Sequence, residues 1–136
     1  MAHYGMQITV KGSFEDVKAS VVKALKAQGF GVLTEINVQQ TLKEKIGVDF
    51  EPYLILGACN PRLAHQALSA DRSIGLLLPC NVTLRSLGGD EVEVSILDPE
   101  VMFGVTDPET KTTLATLPQE AKTRLQAALA ALKNTS

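Results

Sequence analysis

Tryptophan is absent from this chain, and only four phenylalanines and two tyrosines are present. A protein that stacks bases on aromatic side chains needs a platform of them, so single-stranded nucleic acid is a poor fit. An excess of positive charge is missing too. Thirteen Lys and Arg stand against 15 Asp and Glu, for a formal net charge of −2. Phosphate backbones require concentrated cations, and no Lys/Arg cluster exists here, so nucleic acid is not an expected partner. No apolar run approaches the roughly 20 residues that span a bilayer. No basic stretch followed by an apolar segment opens the chain. The expectation is therefore a cytoplasmic protein with no membrane partner. The two cysteines should be reduced thiols there, not a structural disulfide. Gly-x-Ser-x-Gly, Walker-type and His-Glu-x-x-His motifs are all missing, so no complete catalytic set is visible.

What remains is ordinary for a globular chain: 136 residues, 45% apolar and 21% charged. That length predicts one domain, residues 1–136, that buries roughly 68% of its unfolded surface without staples. Met6, Ile8 and Val10 alternate with Gln7, Thr9 and Lys11, as in a half-buried strand. Ser13 then caps a helix with the stripe Phe14, Val17, Val21, Val22 and Leu25, which Gly29 ends. A second strand is expected to carry Phe30, Val32, Ile36 and Val38 on one face. Gly29-Phe30-Gly31 is not a phosphate loop, because these glycines follow a helix and do not open one. Gln39–Ile46 reads as a short helix broken by Gly47.

Tyr53–Ala58 is apolar on both faces and belongs inside a sheet. Asn60 and Pro61 open a helix with Leu63, Ala64, Ala67 and Leu68 inward, ending near Ala70. Ile74–Leu78 reads as a third buried run, and Pro79 as a strand end, edge or bulge. Val82 and Leu84 lead to a Gly88-Gly89-Asp90 hairpin, with Val92, Val94 and Ile96 in the return strand. Asp98-Pro99 and Asp107-Pro108 punctuate an irregular segment. Pro118 opens a last helix with Ala121, Leu125, Ala128, Leu129 and Leu132 inward, fraying at Asn134–Ser136. The order β-α-β-(α)-β-α-β-β-α and the hairpin predict an α+β fold: two layers, a mostly antiparallel sheet and helices on one face.

Both cysteines sit in a near-mirrored pair of tripeptides, Cys59-Asn60-Pro61 and Pro79-Cys80-Asn81, each after an apolar run. With Leu56-Gly57-Ala58 before the first, Ala64-His65 after it, and Gly75-Leu76-Leu77-Leu78 before the second, the chain resembles the domain of unknown function 302 family. Leu42–Phe50 and Asp98-Pro99-Glu100 fit the same pattern. The resemblance implies a compact domain with a curved antiparallel sheet, and a homodimer. It implies no enzymatic activity.

The residues themselves permit several chemistries. Cys59 lies just before a helix start, where the positive end of the dipole favours a thiolate. The competing reading is a small buried side chain at a strand-to-helix corner. Cys80, behind Pro79, looks more like core, yet it becomes a partner for Cys59 if the two strands are neighbours. Twenty residues separate the two cysteines, so they form no Cys-x-x-Cys motif. His65 projects away from its helix's inward face, as a base, a metal ligand or an exposed residue. Cys59, Cys80 and His65, with His3, are formally enough for zinc, although no pair has knuckle spacing. Asn60 and Asn81 read as caps or turn residues, or as amide donors to a ligand beside the thiols. Asp98 and Glu100 form a turn or a carboxylate pair. Lys43 and Lys45 form a solvated face or an anion contact.

Three functions follow from these residues. The first is a non-enzymatic dimeric binding module with a site around Cys59, Asn60, His65, Cys80 and Asn81. The second is thiol-based redox or sulfur handling, with Cys59 as the reactive group and Cys80 resolving it. In the third the cysteines are structural.

Overall fold

The computed structural model describes residues 2–133; the expected fraying at Asn134–Ser136 lies outside them. Five strands, β1 (Gly5–Lys11), β2 (Gly31–Asn37), β3 (Tyr53–Cys59), β4 (Cys80–Gly88) and β5 (Glu91–Leu97), form one sheet in the order β1-β5-β4-β3-β2. Every neighbouring pair is antiparallel. The helices are α1 (Phe14–Ala27), α2 (Val38–Ile46), α3 (Pro61–Ala70), α4 (Pro99–Phe103), α5 (Pro108–Thr113) and α6 (Leu117–Lys133). The fold is α+β, as the alternation and the hairpin predict.

Register sorts the two sheet faces. Val10 opposes Val92, Leu54 opposes Leu84, Leu56 opposes Val82, and Val82 opposes Ile96. These side chains are all buried and form the sheet's half of the core. Helices α1 and α6 pack on each other and against this layer, with Val17, Val21, Leu25, Leu125 and Leu129 inward. Fully burying one such side chain contributes about 1.5–3 kcal/mol. The opposite face is polar across β1, β5 and β4 and apolar at Ile55 and Ile36. Arg85 forms a two-pronged bond with Glu93 at 3.2 and 3.1 Å, and Gln7 Nε2 donates to Ser95 Oγ at 3.0 Å. An antiparallel sheet tolerates one solvated face.

Helix starts are encoded locally. Ser13 Oγ accepts from Asp16 N, Asn37 Oδ1 from Gln40 N and Asn60 Oδ1 from Leu63 N. Gly29 (φ +83°) follows the C-cap of α1, and Gly47 (φ +70°) is the C-cap of α2; both lie in the left-handed region that favours glycine.

Three expectations need correction. The β2 residues do not share a face, because the register shifts between Val32 and Thr34. That bulge flips the later side chains, so Ile36 is half exposed and Val38 already belongs to α2. Ile74–Leu78 is not a buried run. Asp71 Oδ1 caps Ser73 N, and residues Arg72–Leu77 coil as a 3-10 helix that buries Ile74 and leaves Leu76 90% exposed. Third, the segment after β5 is not irregular. Each Asp-Pro pair starts a short helix, with proline at the helix start, where its missing N–H costs nothing.

Gly57 is the tightest point in the sheet. A Cβ there would lie 2.1 Å from Thr34 Oγ1 and 2.7 Å from Pro79 Cγ. Gly57→Ala should therefore destabilise the protein by about 1–3 kcal/mol, read as a lower urea midpoint. An unchanged midpoint would show that the Thr34 and Pro79 contacts are not restrictive.

Candidate functional site

The antiparallel register sets Ala58 opposite Cys80 and Gly57 opposite Asn81. The end of β3 and the start of β4 are thus neighbours, and both cysteines come to one end of the sheet. There they line a half-open cleft with Phe30 and Leu78. Its side walls are Leu63, Ala64 and Ala67 of α3, Pro99, Met102 and Phe103 of α4, and Leu117, Ala121 and Leu125 of α6. The small side chains of Ala64 and Ala67 on α3 and Ala121 on α6 leave room between the walls. The space is about 40 Å³, little more than the roughly 30 Å³ one water occupies in the liquid.

The cleft is close to free of charge. Its polar lining is limited to Cys59, Cys80 and Asn60. Asn60 is already engaged: Oδ1 accepts from Leu63 N at 3.2 Å, and its amide nitrogen lies where a Cβ on Gly29 would be 3.0 Å away. Its capping role therefore accounts for it.

The two thiols are unequal. Cys80 is 6% exposed, its Sγ lies 3.7 Å from the Leu97 carbonyl oxygen, and burial pushes its thiol up to about 12. Cys59 is half-buried, and burial raises it as well. Desolvation therefore opposes the dipole of α3, and neutral thiols are the resting forms. Both cysteines are free. Cys59 follows Ala58, so its side chain leaves β3 on the opposite pleat from the one Ala58 shares with Cys80. A disulfide needs Cβ atoms about 3.5–4.5 Å apart, and this register does not set them facing each other.

The remaining candidates lie elsewhere. His65 is exposed on α3 and Asn81 is exposed on β4, and neither lines the cleft. Among the described residues no group of three or more His, Cys, Asp or Glu side chains is placed to hold a metal ion. The zinc set of Cys59, Cys80 and His65 is therefore not assembled, because His65 faces outward. Lys43 pairs with Asp49 at 2.8 Å on the surface.

Asp98 and Glu100 do more than form a turn. Asp98, 9% exposed, accepts from Glu100 N through Oδ1 and pairs with Lys122 through Oδ2 at 2.9 Å. Lys122, whose pKa is raised chiefly by its hydrogen bond to Asp98, also lies 3.8 Å from Glu100. Hydrophobic periodicity does not reveal the α4 wall of the cleft, because α4 is only five residues long. Its one local signal is Asp98-Pro99 in N-cap and N1 positions.

The fold and site define a two-layer α+β domain with an uncharged apolar cleft at one end of its sheet. The domain of unknown function DUF302 family model matches residues 6–132, and the chain belongs to that family. It is also similar to the crystal structure of an uncharacterized conserved DUF302 protein from Bacillus stearothermophilus. The two share 28% identity over 96% of this chain and 99% of that one, with a TM-score of 0.82. No curated protein matches it.

The raised Cys80 thiol has a pH consequence. The unfolded thiol ionises near 9.0 and the folded one near 12. The folded state thus holds the proton more tightly, and stability from this residue is complete below pH 9 and is lost as pH rises toward 12. Urea midpoints followed from pH 8.5 upward should fall more steeply for the wild type than for Cys80→Ala. Parallel slopes would mean Cys80 ionises as easily folded as unfolded.

Proposed function

We propose that this protein is a cytoplasmic, homodimeric, non-catalytic binding module whose cleft takes a small uncharged apolar ligand. The observation that carries the reading is the cleft's lining. Three helices and two strand ends supply apolar walls, both thiols are held neutral, and no charged side chain enters. Such a lining penalises ions and polar molecules and rewards apolar surface. The volume sets the scale: a few carbon atoms, or the end of a chain whose remainder stays outside. Among the described residues no helix is long and apolar enough to cross a membrane. Exposed Leu33 and Ile36 on β2, with Ile46 on α2 and Val48 and Phe50 beyond it, offer apolar surface to a second copy.

The test is a titration of methyl-labelled protein with short alkanols of increasing chain length. Saturable shifts confined to Leu63, Leu78 and Leu125 are expected. Ala64→Leu, which adds bulk to the α3 wall, should abolish them in a protein that still folds. Shifts spread over the surface, or none at all, would remove the binding reading. Light scattering that gives a monomer at high concentration would remove the dimer.

A further inference from the structure

We propose that α4 and α5 form a lid beside the cleft, tethered by two polar contacts, and that its opening widens the half-open cleft for anything larger than the tip of a chain. The proposal takes from the binding reading only what enters; the motion itself is independent of it. Four observations converge on this segment.

First, the wall formed by α4 seals one side of the cleft. Pro99, Met102 and Phe103 are all buried against it. The resulting space of about 40 Å³ is far below the roughly 300–1,000 Å³ of ligand pockets. Binding of anything larger than the tip of a chain requires a wall to move.

Second, this wall is built from the shortest α-helices of the fold. Helices α4 and α5 have five and six residues, too few to be stable alone. The walls from α3 and α6 belong to helices of 10 and 17 residues.

Third, the outer side of the wall borders a surface groove. A solvent-open space of about 290 Å³ lies between α4, α5 and the start of α6, bordered by Phe103, Thr110, Leu114 and Gln119. Phe103 lines both this groove and the cleft, so among the described residues no further element is packed over the outer side of α4 there.

Fourth, the segment is tethered by two aspartates that each use one oxygen locally and one across the fold. Asp98 Oδ1 caps α4 through Glu100 N at 2.9 Å, and Oδ2 pairs with Lys122 of α6 at 2.9 Å. Asp71 Oδ1 caps the 3-10 helix through Ser73 N at 2.9 Å, and Oδ2 accepts from Thr110 Oγ1 at 3.0 Å. The Asp98–Lys122 pair sits where the chain leaves β5 and acts as the hinge pin. The Asp71–Thr110 bond lies in α5, farther along the segment, and acts as the catch. Gly104–Asp107, between the two helices, is the joint.

Cys80 is a built-in reporter, since it lies in the cleft and is 6% exposed. In a Cys59→Ser background, its labelling by an uncharged thiol reagent should run faster than global unfolding. Thr110→Val keeps the side chain's shape and removes the catch. It should speed Cys80 labelling by about 3–10-fold, the loss of one hydrogen bond. Amide exchange should quicken over 99–116 and stay unchanged in β3, β4 and β5. Lys122→Met provides a second variant acting on the same segment, with the same pattern expected. Labelling that tracks global unfolding in every variant, or exchange that rises uniformly through the sheet, would overturn the lid. Both readouts are made without ligand. A lid that opens while alkanols fail to bind would overturn the binding reading alone.

Discussion

The close approach at Gly57 is the constraint on which the rest of the site depends. Thr34 from β2 and Pro79 from the entry to β4 converge on a position that has no room for a side chain. At this point β3 is paired with β2 on one side and β4 on the other, and β4 begins directly after Pro79. With Ala58 then opposite Cys80, Cys59 ends its strand beside the start of β4, and Asn60 caps α3 one residue later. The cleft is the space left at this corner, where chains diverge from the sheet and α3, α4 and α6 close over it.

This geometry explains why the thiols are quiet. A helix N-terminus lowers a thiol's pKa when the sulfur stays in a polar setting. Here the cap position belongs to Asn60, Cys80 is buried on the core face of the sheet, and Cys59 is half-buried on the opposite pleat. Desolvation dominates at both positions and most strongly at Cys80. The same walls that suppress thiolate chemistry make the cleft suited to apolar contact. The hydrogen-bonding and charged groups nearby, Asp71, Asp98 and Lys122, are spent on holding helices in place.

The sequence exposed most of the fold because its signals are local and agree with one another. Alternation marks β1 and β5, the Gly88-Gly89 turn marks the hairpin, and Ser13 and Asn60 mark helix starts. What it hid depends on neighbours. The bulge at Leu33 follows from the packing of β2 on β3, and it reverses a face that alternation alone assigns. Ile74–Leu78 is apolar enough for a strand, yet the Asp71 cap coils it. Of the expected site, Cys59, Asn60 and Cys80 do line one cleft, because one tripeptide ends β3 and the other opens its neighbour β4. His65 and Asn81 lie near them in sequence but point to solvent, a distinction that helix rotation and strand parity decide. Met102, Phe103 and Ala121 complete the site from distant segments, and no local pattern ties them to the cysteines.

The central claim is that this corner of the sheet encloses an apolar, uncharged space with affinity for apolar matter. Diffraction from crystals pressurised with xenon tests it most directly, because xenon seeks such spaces and needs no chemical recognition. The account predicts a xenon atom among Ala64, Ala67, Ala121 and Phe103, lost in Ala64→Leu. Ordered water in that space with no xenon would show the cleft to be polar in practice and would contradict the account.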